Sequence, residues 1–132
     1  MSTHALTVMQ EESGTEIAVL YRQFDGYLSA HGAELKEFLK PIKIVNGIPN
    51  YKKGIANGGA CLAAQIVAHF KEEVGGFYLQ PAGTRLDFTY YYFVKPNGAN
   101  IHLRVEYGDE TLFDGNIENF DPTIEEEDHE PQ

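Results

Sequence analysis

Residues 86–107 commit the chain to a β-hairpin. Asn100 to Tyr107 alternates cleanly, with Ile101, Leu103, Val105 and Tyr107 on one side and His102, Arg104 and Glu106 on the other. That is the period of a strand with one buried face. Pro96-Asn97-Gly98 precedes it, and Asn-Gly supplies the backbone geometry of a tight hairpin turn. Before the turn, Leu86 to Val94 reads as a long strand that contains Tyr90-Tyr91-Tyr92-Phe93. Four consecutive aromatics place rings on both faces. Such a strand usually has cover on both sides: helices on one, and another subunit or a ligand, even a base-stacking contact, on the other; a face of half-exposed tyrosine is the plainer reading.

The remaining elements arrange themselves around this hairpin. Ala5 to Met9 and Glu16 to Arg22 read as strands joined by a turn at Ser13-Gly14. Ser29 is placed to cap a helix from Ala30 to Lys40, with Leu35, Phe38 and Leu39 on its buried face and Pro41 as its stop. Residues 41–57 form a connector rich in Pro, Asn and Gly, with short extended pieces expected at Ile42–Val45. Connectors of this length inside a domain are often functional. A second helix is expected from Ala60 to Glu73, where Leu62, Ile66, Phe70 and Val74 recur every four residues and Gly75-Gly76 ends the helix. Short strands at Phe77–Leu79 and Thr111–Phe113 complete the set. The order ββ-α-loop-α-ββββ implies an α+β fold: a mainly antiparallel sheet of five to six strands with two helices on one face. A parallel pairing of the second strand with the strand after the helices is the alternative.

Charge divides the chain. The 132 residues carry twenty Asp and Glu against ten Lys and Arg, a net of −10. Yet residues 105–132 hold eleven acids and no base, so the first 104 residues are close to neutral. The expected organisation is a single domain over 1–121 and an acidic, solvated tail over 122–132. The balance argues against general binding to DNA or RNA backbone, which needs a Lys/Arg footprint. No apolar run approaches a membrane span and no signal peptide is visible, so a cytoplasmic protein is expected. One cysteine, Cys61, excludes an internal disulfide. The five histidines show no metal-ligand spacing, and neither a metal nor a cofactor is expected.

Three groups of residues can carry chemistry. Arg22, Asp25, Tyr27 and His31 fall where a strand runs into a helix, a junction suited to holding a ligand; the plainer reading is a turn with an Arg22–Asp25 ion pair. Asn57 and Gly58 open the second helix with small residues, without the spacing and lysine of a P-loop; close packing of the helix start is the plainer reading. Arg85 and Arg104 complete the three arginines, the natural partners of an anion; surface salt bridges are the plainer reading.

The segments Tyr21 to Gly32, Asn57 to Gln65 and Gly75 to Gly83 resemble, in order, the motifs Y-R-x-x-D-G-Y-P-x-x-x-G, N-G-M-G-C-L-A-A-Q and G-G-F-Y-L-x-P-x-G of a family of small phage, prophage and bacterial proteins. The likeness covers about residues 15–115. Leu28 stands where that family has Pro, and Gly59-Ala60 where it has Met-Gly. The resemblance implies a setting, the accessory genes of phages and prophages and hence the cytoplasm of a bacterial host cell, rather than a reaction. The expected function is a homo-oligomeric, non-catalytic counter-defence protein that sequesters a small anionic, nucleotide-type signal. One alternative is an inhibitor that meets the nucleic-acid channel of a protein target with its acidic 105–132 segment. The other is a small nucleotide-processing enzyme with Asp25 and His31 as acid and base.

Overall fold

The computed structural model describes residues 3–47 and 53–124. In chain order the elements are β1 (His4–Gln10), β2 (Glu16–Arg22), α1 (Ala33–Leu39), β3 (Lys43–Val45), β4 (Ile55–Asn57), α2 (Gly58–Phe70), β5 (Phe77–Gln80), β6 (Thr89–Asn97), β7 (Asn100–Tyr107) and β8 (Glu110–Asn116). Six strands form one sheet in the order β5-β2-β1-β6-β7-β8, while β3 and β4 pair in parallel beside it. The fold is α+β and the large sheet is mainly antiparallel. Its parallel pair joins β1 to β6, with His4 opposite Thr89 and Met9 opposite Val94. The parallel pairing considered from sequence does not occur, because the strand after the helices, β5, runs antiparallel to β2.

Both faces of the central strands are buried. Ala5, Met9, Leu20, Tyr92, Val94, Leu103 and Val105 pack with Leu35, Leu39, Leu62, Ile66 and Phe70 of the helices. On the opposite face Leu6, Val8, Val19 and Phe93 form a smaller cluster, flanked by Tyr21 and Tyr91. Continuous burial explains why β1 has no alternation to read: its five central residues are all inside.

Three expected boundaries moved. The first helix is not continuous from Ala30 to Lys40 with a cap at Ser29: Leu28–Gly32 forms one wide π-type turn before α1 begins. In that turn the Gly32 N–H reaches the Tyr27 carbonyl and the His31 N–H reaches that of Asp25. The widening allows both Leu28 and His31 to point inward, fully buried. The second helix stops at Phe70, and Val74 is fully exposed rather than part of the apolar face. Lys71 unwinds the chain there, and its ammonium holds the carbonyls of Gly75 and Phe77. Finally, β6 begins at Thr89, not Leu86. Residues 81–88 instead form a segment tied to the sheet: the Tyr91 hydroxyl and the Leu86 backbone are mutually bonded, and Gly83 N–H donates to Glu16.

Candidate functional site

The eight residues singled out from sequence fall in three places. The first lies on the helix-covered face. Leu20 and Arg22 share that side of β2, and the turn at Leu28–Gly32 carries His31 toward them. Arg22 Nη1 donates to His31 Nδ1 at 3.1 Å, while His31 Nε2 lies 2.7 Å from the Thr7 hydroxyl. Because a guanidinium has no acceptor, Nδ1 must be the bare nitrogen and the ring proton sits on Nε2. Phe70 and Tyr92 enclose the ring. Burial, aided by the charge of Arg22, pushes His31 down to about 3. It is therefore a neutral connector at physiological pH and has no open nitrogen with which to move a proton.

Arg22 is held from several sides. Its Nε donates to the Phe24 carbonyl, Nη1 also reaches Glu34 at 2.8 Å, and the guanidinium lies over the Phe77 ring. The ion pair is thus with Glu34, not with Asp25. Asp25 is exposed and takes a left-handed φ of 62°, contributing its carbonyl to the turn. Tyr27 likewise acts through its carbonyl, which accepts from Ala30 and Gly32.

Asn57 and Gly58 occupy the second place. The Asn57 side chain accepts from Gly47 N–H, closing the connector on itself. Gly59 packs against the β1–β2 turn: a Cβ there would sit 2.7 Å from Glu11 Oε1 and 3.0 Å from the Gln10 carbonyl. A carboxylate of the same chain thus already lies against the positive end of α2.

The third place is the outer face of the sheet. Phe93 faces Arg104 across β6 and β7, and the Arg104 guanidinium lies 4.5 Å from the ring centroid. Arg85 covers Phe93 and Tyr91 from the 81–88 segment and pairs with Glu16, whose carboxyl it holds below its ordinary range by a direct hydrogen bond. Both rings thus receive cover from the chain itself. Beside Phe93 a polar cavity of about 340 Å³ is lined by Gln10, Lys95, His102, Arg104 and Asp114. Arg104 is bound to Glu106 at 3.0 Å, and His102 to Asp114 at 2.6 Å. The Lys95 ammonium has no partner among the described residues. Lys95 and His102 are direct cross-strand partners, as are Phe93 and Arg104. Sequence reasoning missed Lys95, His102 and Gln10, although the alternation of β7 already placed His102 beside Arg104.

A larger groove of about 900 Å³ separates α1 from α2 and is bounded by Arg22, Glu34, Glu37, Phe38, His69, Glu72 and Phe77. His69 stacks on Phe38 within it. Among the described residues no cluster of His, Cys, Asp or Glu could hold a metal, and no helix is long and apolar enough to cross a membrane. Cys61 is half-buried and directs its thiol to Gln65. Of the acidic segment, Glu106, Asp114 and Glu118 are paired with Arg104, His102 and Lys43, and residues 125–132 lie outside the described residues.

No family model, curated protein or solved structure matches this chain.

Proposed function

We propose that this protein is a non-catalytic binder that holds a small anionic, nucleotide-type ligand on the outer face of its sheet. The observation that supports this is the convergence of Lys95, Arg104 and His102 at one polar cavity beside Phe93, where the Lys95 ammonium has no partner among the described residues. A phosphate there meets an ammonium and a guanidinium, and Asp114 orients the imidazole. The cavity falls at the small end of ligand sites, about 300–1,000 Å³. Arg22 and His31 have a different role: they tie the Leu28–Gly32 turn and α1 to β2 and β1. A sequestering protein needs affinity and no catalytic base, which agrees with the phage accessory setting that the three sequence motifs imply.

Calorimetric titration with a panel of nucleoside phosphates and cyclic nucleotides tests the proposal. Binding that weakens at least tenfold in Lys95→Ala and in Arg104→Ala is the expected result. The absence of heat with every member of the panel, from folded protein, rejects it. A homo-oligomer is proposed through the free edge of β5, whose Tyr78 and Leu79 are exposed and uncharged. Light scattering on the native chain and on Leu79→Lys measures this.

A further inference from the structure

We propose that the groove between α1 and α2 is a docking slot for a basic polypeptide segment, separate from the anion site on the opposite face. The floor of the slot is apolar: Phe38, Ile55 and Phe77 are half-buried there, beside the buried Ile42 and Phe70. Its rim is acidic. Glu34 and Glu37 stand on the α1 wall and Glu72 on the other. Arg22, the cation within it, is already held by Glu34 and by His31. Glu37 has a loose 3.7 Å contact with Lys40, both side chains being largely exposed, and Glu72 has no partner among the described residues. The negative end of α2 lies at the same place, beside His69, and adds to the attraction for a cation.

The shape favours a chain over a small amine. The slot follows α1 from Ala33 and runs on past its end to Pro41, a path of about 12 Å taken at the helical rise. That length matches roughly four residues of extended polypeptide. An apolar side chain of such a segment seats on Phe38 and Phe77, and its flanking lysines or arginines meet Glu37 and Glu72 across the opening. The 41–57 connector supplies the far wall through Pro41, Ile42, Gly54 and Ile55. This gives part of that long segment a reason to pack where it does.

The test uses the full chain and two blocked peptides of about five residues, one alternating lysine with leucine and the other glutamate with leucine. Backbone amide shifts map the contact, and titration gives the affinity. The lysine peptide is expected to shift amides around Glu37, Phe38, His69 and Glu72. Its dissociation constant is expected to rise at least tenfold in Glu37→Lys/Glu72→Lys and to stay within twofold in Asp109→Lys, a charge reversal at the β7–β8 turn. Both variants change exposed residues, and circular dichroism verifies their folding. The inference is overturned if the lysine peptide causes no shifts, if its shifts map to the β7–β8 end, if the glutamate peptide binds as tightly, or if Asp109→Lys weakens binding as much as the double variant.

Discussion

Lowering the pH from 7 to 5 should destabilise this protein through one buried imidazole. His31 is fully buried between the Arg22 guanidinium and the Thr7 hydroxyl, and its folded-state pKa is about 3 against an ordinary value near 6.5. The unfolded chain therefore binds the proton first. The stability contributed by keeping His31 neutral is complete above about pH 6.5 and is lost as the pH falls toward 3. Linkage over that interval gives a loss of about 2 kcal/mol by pH 5, a substantial part of the ~5–15 kcal/mol that holds a domain folded. At a urea m-value of about 2 kcal/mol/M the midpoint moves by roughly 1 M. The measurement is urea unfolding of the native chain and of His31→Gln at pH 7 and pH 5. Glutamine cannot titrate, so the difference between the two pH slopes isolates His31 from every other group. Equal slopes would refute the reasoning, as would an imidazole resonance of His31 titrating near 6.5 in the folded protein.

Gly26→Ala should cost about 3 kcal/mol or more, because a Cβ there meets the His4 carbonyl and comes within 2.7 Å of Ala5 N; chemical unfolding reads the loss. Tyr92→Phe removes the buried hydrogen bond to the Gly26 carbonyl at 2.8 Å and should cost about 1–2 kcal/mol by the same measurement, with the circular dichroism spectrum unchanged. Gly59→Ala should cost about 1 kcal/mol and recover partly when combined with Glu11→Ala, which clears the side-chain contact but not the one at Gln10 O. Arg85→Ala should lower the thermal midpoint by only a few degrees, because its pair with Glu16 is exposed to solvent.

The strand count and most of the hairpins were legible because their signals are local. The period of β7 and the hairpin signal at Asn97-Gly98 depend on neighbours a few residues away; the structure keeps the period and the hairpin but sets the turn one place on, at Gly98-Ala99, with Asn97 paired to Asn100. The start of α1 was not legible. Ser29 has the chemistry of a cap, but Leu28 and His31 can both be buried only in a wider turn, and that need comes from Thr7 and Phe70, far away in sequence. Val74 continues the four-residue apolar repeat of α2, yet Lys71 has already turned the chain away. For the site, residue type identified Arg22, Arg85 and Arg104 without revealing which face each occupies. Pairing register settles that: Arg22 lies opposite Ala5 on the helix side, and Arg104 lies opposite Phe93 on the outer side. Lys95 gave no signal as a single surface lysine and gains meaning only beside its partner His102.

The seam between β1 and β6 has a consequence for how the molecule is made. Every other contact between adjacent strands of the large sheet lies within one of two blocks, β5-β2-β1 or β6-β7-β8. Among the described residues the strands of the two blocks pair only where His4 to Met9 lie against Thr89 to Val94, a closure of about 85 residues. On a ribosome the first strand emerges long before its central partner exists. Until then β1 can pair along only one of its edges, with Leu6 and Val8 lacking Phe93 beneath the outer surface. Joining the seam is the step of high contact order and the natural rate limit of folding.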